Sequence, residues 1–454
     1  MSQGLRTRPR SDAGGLSVLS AQMKYRSSRR QFLQRVGLAV GSAFHLGWRA
    51  RPRPSRAIGA NDRLRLGVVG VGGYGAELLR ACDEEQVLAL CDVDRRALDA
   101  ARVSNPQATL YRDFRRMLDH ERLDGVVVAA ADHAHAVICA AALQTGCHVY
   151  CAAPMARTVS EARRLSQLAA RARCVTQVGE AFASSPVETA LLELLRGNAV
   201  GPILEVHAWT SRSHGELRTE PEAPMAPPHL DFELWLGPSF PRKYRESLTA
   251  GKWRHWWEFG GGTLADVGAA QFDLIHRALD LAAPERVEAE GPPLHLDYTP
   301  AWLSARWVYS RKAQQAPLVV LWNHGAPPRD ALRSLLPATA TDGVLFLGDH
   351  GELVVTQNDL TIRLRDEPAH RPLSSIDNPP GRRPMAQWRE SCRSSRKGDR
   401  RFENAAAPTE SMLLGNVAYR TDRKLVWDPR GLVASNLPDA SEYLQHSYQP
   451  GWEI

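Results

Sequence analysis

The chain has 454 residues, 43% hydrophobic and 24% charged, a balance usual for soluble globular proteins and long enough for two domains. Its net charge of +7 points to nucleic acid only until the charge is located. Residues 1–60 carry 12 Lys/Arg against one acid, Asp12, a surplus of 11 that exceeds the chain's total and leaves the body at −4. With no basic stripe interleaved with aromatics in that body, nucleic acid is not an expected partner.

The leader comes first. Ser28-Arg29-Arg30-Gln31-Phe32-Leu33 matches the twin-arginine export pattern and precedes a short, mildly apolar stretch. Export to the periplasm or cell envelope is therefore expected, by cleavage near Ala57 to Ala60 or with the leader kept as a tether; a plain basic tail is the alternative. No run of 18 apolar residues exists, so no spanning helix is expected. The cysteines (Cys82, Cys91, Cys139, Cys147, Cys151, Cys174 and Cys392) are odd in number and form no CxxC pair, which predicts reduced, buried thiols and no metal centre.

Residues 61–180 read as a nucleotide-binding domain. The apolar run Leu64–Val69 ends in Gly70-Val71-Gly72-Gly73-Tyr74-Gly75 and passes into a helical pattern. In such a turn Gly70 allows the bend, Gly72 lets a pyrophosphate approach the backbone, and Gly75 lets helix and strand pack closely. A second run, Val87–Cys91, ends in Asp92-Val93-Asp94, which places the Asp92 carboxylate where a ribose hydroxyl needs an acceptor. Further runs at 125–130 and 148–151 alternate with helical patterns at 95–102, 114–119, 134–144 and 160–172, and Val175–Gly179 closes the set. This order predicts a doubly wound parallel sheet. Asp132-His133-Ala134-His135 follows the third main run, at the carboxyl edge where ligands sit, and caps a helix or touches a ligand.

Residues 181–454 change texture. A helix is expected over 186–196. Strand-like alternation then appears at 203–210, 287–290, 302–309, 318–322, 343–347 and 353–356, separated by turns, which predicts an open, largely antiparallel sheet in an α/β domain. Between these lie a proline-rich loop (220–229), four tryptophans (Trp235, Trp253, Trp256, Trp257) and Phe259-Gly260-Gly261-Gly262-Thr263-Leu264-Ala265-Asp266-Val267-Gly268. A helix is expected over 270–281, and the tail as one more helix (386–394) followed by a polar extension.

With these residues in view, the chain resembles the glucose–fructose oxidoreductase / inositol dehydrogenase / MocA family, in its exported bacterial branch. The likeness rests on the glycine fingerprint, Cys91-Asp92-Val93-Asp94, Asp132-His133-Ala134-His135, Gly146–Cys151, Leu230–Pro238, Lys252-Trp253-Arg254, Leu425–Asp428 and Gly451–Ile454. It implies a Rossmann domain plus an α/β domain whose sheet serves as oligomer interface, giving a homo-oligomer. It also implies bound NAD or NADP, held by Gly70, Gly72, Gly73, Tyr74, Gly75, Asp92, Ala131, His135 and Gln177, and hydride transfer at a secondary alcohol of a sugar or cyclitol. Asp92 favours NAD by repelling a 2′-phosphate, whereas Arg95 and Arg96 would suit NADP.

The proton-handling positions depart from the family pattern. Where relatives carry Glu-Lys-Pro, this chain has Ala152-Ala153-Pro154. Where they carry Gly-x-Leu-x-Asp-x-Gly-x-His, it has Gly262 to Ala270, with Ala270 at the histidine. A positioned acid or base supplies about 10²- to 10⁴-fold in rate, and a methyl group can neither hydrogen-bond an alcohol nor accept its proton. Two readings follow. One is an NAD(P)-dependent oxidoreductase with weakened or reassigned catalysis, carried by Asp266 or His255. The other is a non-catalytic nucleotide- or carbohydrate-binding protein that pairs with an active relative. Gln271 and His276 are further substitutes, although Gln271 would point about 100° from its neighbour on a helix. Replacing Arg29 and Arg30 together by lysine is expected to hold the protein in the cytoplasm, as read by cell fractionation.

Overall fold

The computed structural model describes residues 58–59, 61–179, 185–214, 225–249, 251–311, 316–325, 341–356, 359–367, 371–372, 384–394 and 396–454. These all lie in one compact unit. The expected leader falls outside the described residues except for 58–59, as does part of the proline-rich loop.

The first half alternates strand and helix: β1 (Arg65–Val69), α1 (Tyr74–Arg80), β2 (Gln86–Cys91), α2 (Arg95–Ser104), β3 (Thr109–Tyr111), α3 (Phe114–His120), β4 (Gly125–Val128), α4 (Asp132–Gln144), β5 (His148–Ala152), α5 (Val159–Arg171) and β6 (Thr176–Gly179). Helices cover both faces, so β1, β4 and β5 are nearly continuous apolar runs. The strands form a parallel sheet in the order β3-β2-β1-β4-β5-β6. The winding reverses between β1 and β4, which opens a crevice at their carboxyl ends. Local chemistry starts the helices where side chains can cap them. Asp94 and Asp113 accept from the backbone N–H groups of Arg96 and Arg115, and Thr158 with Glu161 forms a reciprocal capping box on α5.

The second half contains α6 (Pro186–Arg196), β7 (Ile203–Thr210), α7 (Phe232–Leu236), α8 (Gly262–Leu279), β8 (Arg286–Glu290), β9 (Leu303–Tyr309), β10 (Leu318–His324), β11 (Asp342–Gly348), β12 (Gly351–Val355), β13 (Leu360–Leu364), β14 (Arg371–Pro372), α9 (Pro384–Ser394), α10 (Phe402–Thr421), β15 (Leu425–Asp428), β16 (Val433–Ala434) and α11 (Ser441–Leu444). Among the described residues the second sheet has ten strands, in the order β14-β13-β12-β11-β7-β10-β9-β8-β15-β16. Its pairs are antiparallel except β7 with β10. Its inner face packs α8 and α10 through the fully buried Trp307 and Trp322.

Three of the differences from the sequence expectation bear on how the core is built. β3 lies where no strand was expected. α8 begins at Gly262, two turns before Ala270, because its glycines are contact points within a buried helix: a Cβ on Gly268 would sit 3.3 Å from the Trp322 ring. The polar extension of the tail in fact contains α10, a twenty-residue helix buried on nearly every side beyond its first turn, with Pro408 inside it. A helix with no polar face has no amphipathic period to read.

α10 joins the halves, packing against α5 and α8. Arg163 on α5 grips Glu410 on α10 with two hydrogen bonds of 2.7 Å. Just before α10, buried Arg400 donates to Asp273 on α8 (2.8 Å) and Glu188 on α6 (2.6 Å). Removing one partner of a buried ion pair strands the other charge and costs about 3–5 kcal/mol. Arg400→Met is therefore expected to lower the unfolding free energy by about that amount in denaturant titrations, and Lys397→Met, whose pair is exposed, by under about 1 kcal/mol.

Candidate active site

The glycine turn divides into two kinds of position. Gly70 has φ +81°, and a Cβ there would lie 2.5 Å from the Ala129 carbonyl; one on Gly75 would collide with the Gly70 carbonyl. Gly72 and Gly73 are different. A Cβ on Gly73 would meet nothing within 4 Å, and one on Gly72 only the Ala97 methyl at 3.6 Å. No side chain caps α1, whose first residue, Tyr74, is half exposed. The result is an open cradle beside a helix N-terminus, suited to a pyrophosphate.

Asp92 lies at the end of β2, beside this cradle. One oxygen accepts from Val71 N and the other from Asp94 N, both at 2.9 Å. Burial lifts its pKa, while these backbone donors oppose the rise. A carboxylate offers about four lone-pair sites, so acceptor capacity remains for a ribose hydroxyl. Arg95 leans on Asp99 (3.6 Å) and Arg96 on Asp94 (3.3 Å), so each arginine already has a carboxylate of its own.

Two residues expected to hold cofactor have other partners. Gln177 is buried and its Nε2 donates to Pro384 O at 2.6 Å, pinning α9. His135 is buried with Nδ1 2.8 Å from Pro154 O and Nε2 2.9 Å from Ala130 O. Two carbonyl partners require both nitrogens to donate, so this imidazole is a cation. Burial opposes that charge, but Cys151, Asp132 and the Pro154 carbonyl outweigh it and raise the pKa to about 10. His135 therefore ties the β4–α4 turn to the β5–α5 turn. Its neighbour His133 is the reverse case. Burial pushes it down to about 3, and as a neutral ring it meets Trp235 O at 3.0 Å. Ala131 is the uncapped N-cap residue of α4.

Facing this turn across the crevice, α8 presents Asp266, with Ala270 one turn on along the same face. Arg254 Nε donates to Asp266 Oδ1 at 2.8 Å, and His214 Nε2 lies 3.4 Å from Oδ2, within ion-pair distance but not aligned as a hydrogen bond. Burial pushes the Asp266 carboxyl up, but His214 and Arg254 outweigh it and hold it below the ordinary range. Thr263 Oγ1 accepts from His214 N at 3.2 Å, and the His255 ring packs edge-on against His214 at 5.1 Å. Gln271 and His276 are spent elsewhere. Gln271 donates to Trp209 O and Gly343 O, and His276 pairs with Tyr309 and Leu281. Ala153 and Ala270 both pack into the core.

The two expected catalytic residues, Asp266 and His255, are thus brought together, and the residue between them is His214, which the sequence analysis missed. The signal was present in its place four residues beyond β7, in a loop leaving a strand end, where ligand-contacting residues concentrate.

A family model described as "Oxidoreductase family, NAD-binding Rossmann fold" matches residues 64–180, and its companion, "Oxidoreductase family, C-terminal alpha/beta domain", matches residues 205–323. The chain belongs to the Gfo/Idh/MocA oxidoreductase family. Among family relatives, the D-apiose dehydrogenase of Paraburkholderia graminis is 32% identical over 142 residues, 31% of this chain and 38% of that protein. The inositol 2-dehydrogenase of Salmonella typhimurium is 26% identical over 168 residues, covering 35% and 48%. The chain thus spans about two-fifths to one-half of the length of these curated relatives. The fold is shared with the Bordetella pertussis WlbA dehydrogenase, solved with NADH and UDP-GlcNAcA (TM-score 0.58, 16% identity, 81% of this chain and 99% of that one). It is also shared with a Kribbella flavida oxidoreductase domain protein (TM-score 0.57, 18% identity, 81% and 100%). The open glycine cradle and the Asp92 carboxylate fit the NAD that such a Rossmann domain binds.

Asp132, buried at the start of α4, behaves oppositely to Asp266. Burial raises its pKa from 3.8 to about 6, even though His135, Arg254 and His214 favour its anion. A carboxyl whose folded pKa is raised binds protons better in the native state, so stability falls as pH climbs from about 4 to about 6. Asp132→Asn is expected to flatten that slope and to be more stable than wild type above it, as read by denaturation midpoints across the interval.

Proposed function

We propose that this protein is an NAD-dependent dehydrogenase acting on a secondary alcohol of a sugar or cyclitol, with the proton handled by a His214–Asp266 pair. The observation that carries this reading is an imidazole 3.4 Å from a carboxylate held anionic by Arg254, on the α8 face where family resemblance puts Ala270 in place of histidine. When bound at the glycine cradle, NAD supplies the hydride acceptor. A small rotation of the ring that turns Nε2–H onto Asp266 would leave the Nδ1 lone pair of His214 to take the alcohol proton. Asp266 orients the ring and stabilises the imidazolium that forms, the division of labour seen wherever a carboxylate backs a histidine base. Arg254 keeps Asp266 ionised. The aromatic wall of Trp235, Phe259 and Trp256 walls off water beside the turn. The D-apiose and inositol dehydrogenase relatives support the polyol class, and the Arg95 and Arg96 pairings support NAD over NADP. The twin-arginine pattern supports export.

The test is reduction of added NAD, followed at the nicotinamide absorbance band, across a panel of sugars and cyclitols. Turnover is expected, with His214→Ala losing about 10²-fold or more in kcat and Asp266→Asn less than that. His255→Ala is expected to stay within a few-fold of wild type. If NAD binds but no polyol turns over, and activity appears only on combining Ala153→Lys with Ala270→His, the protein is a nucleotide-binding relative without its own chemistry. If His214→Ala leaves a measured turnover intact, the proton passes elsewhere.

A further inference from the structure

A second recess lies outside the cofactor crevice, between the start of α5, the N-terminus of α8 and one face of α10. It is a small, solvent-open recess, and Arg157, Arg420, Trp257, Tyr443, Asn416 and Gly261 are among its lining residues. None of the glycine cradle, Asp92, Asp132 or Asp266 contributes to it.

Its electrostatics are one-sided. The Arg420 guanidinium lies 4.3 Å from the Tyr443 ring centroid and 5.0 Å from that of Trp257, in cation–π contact with both. Among the described residues it has no carboxylate at ion-pair distance. Arg157 spends Nη1 on Trp257 O (2.9 Å), and its Nε is buried with no partner among the described residues. α8, eighteen residues long, starts at Gly262 after an N-cap, Gly261, that lines the recess and provides no side-chain cap, which adds the positive end of a helix dipole. No Asp or Glu lines the space. The nearby Glu161 is committed, one oxygen to Arg157 N and Thr158 N and the other to the Tyr448 hydroxyl, and Glu442 is exposed. Burial lowers the Arg420 pKa to about 10, with repulsion from Arg157 adding to the shift and Tyr443 and the nearby Glu442 opposing it. Two arginines therefore line a recess whose wall holds no carboxylate, and burying such charge is costly unless it is offset.

We propose that this recess binds a small oxyanion, a phosphate or carboxylate group, gripped by Arg157 and Arg420 at the N-terminus of α8. The planar guanidinium fork matches either group in bidentate fashion, which separates this site from a generic patch of positive charge. The site is independent of the dehydrogenase reading, because binding needs neither cofactor nor substrate.

The test uses the full chain without added nucleotide, at constant ionic strength set with chloride. Thermal stability and calorimetric binding are measured against inorganic phosphate and, separately, succinate. At least one of the two is expected to raise the melting temperature over the chloride control and to bind saturably at one site. A response to phosphate alone assigns a phosphoryl ligand, and a response to succinate alone a carboxylate. Arg157→Gln and Arg420→Gln are each expected to weaken that binding at least about tenfold. Arg420→Lys, which keeps the charge but loses the fork, is expected to weaken it as well. If Arg420→Gln does not fold, Arg157→Gln and Arg420→Lys carry the comparison. Failure of both anions to stabilise the protein, or equal stabilisation of wild type and variants, overturns the proposal and leaves Arg420 as a structural cation between two rings.

Discussion

The molecule depends on one buried helix. α10 exposes little surface: it is packed between α5 of the parallel sheet and α8 of the second sheet, so its apolar surface is satisfied only when both halves are present. Its one deeply buried charge, Glu410, is met by the Arg163 fork, and the turn leading into it is clamped by Arg400 to two other helices. Such pairs contribute less to net stability than to register, because each charge is tolerable only with its partner in place. They fix how the turn after β4 faces the first turns of α8. The crevice between them is therefore a property of the core.

Within that crevice the charges are sorted by their surroundings. Asp132 and Asp266 feel the same Arg254 and His214, yet shift in opposite directions. Asp266 touches its cation directly, and the contact exceeds the cost of burial. Among the described residues Asp132 meets no cation at hydrogen-bond distance, and burial prevails. Paired carboxyls with pKa values pushed apart are how proteins place a fixed negative charge and a protonatable group side by side. His133 and His135 repeat the pattern on one turn of helix: the ring with two carbonyl partners is charged and the ring among aromatics is neutral.

The cofactor half was legible residue by residue because its requirements are local. A tight strand-to-helix turn needs glycine at 70 and 75 for steric reasons that act within a few residues, and the carboxylate after β2 follows at a spacing set by one βαβ unit. The chemical half was legible only in part. Asp266 was found through its motif, but its partners Arg254 and His214 approach from separate loops 12 and 52 positions upstream in the numbering. No periodicity links such residues. Gln177 and His135 sit near the right edge of the sheet, yet their side chains answer to the Pro384, Pro154 and Ala130 carbonyls, a demand that appears only once α9 and the β5 turn are in place.

Taken alone, the amino-acid order determined the alternating half with its dinucleotide turn, the strand-rich second half and the motif that carries Asp266. Each of these is written in short-range pattern: glycine spacing, apolar runs of period two, or a residue type at a motif position. The tertiary structure decided the rest. It decided that the glycine-rich stretch from Gly262 is the first half of a helix, that an apparently polar tail hides α10, and that His214 meets Asp266. All three are settled by burial among distant segments. Helix burial removes the amphipathic signal, and loop geometry depends on what the loop packs against, so neither is encoded in any window of neighbouring residues.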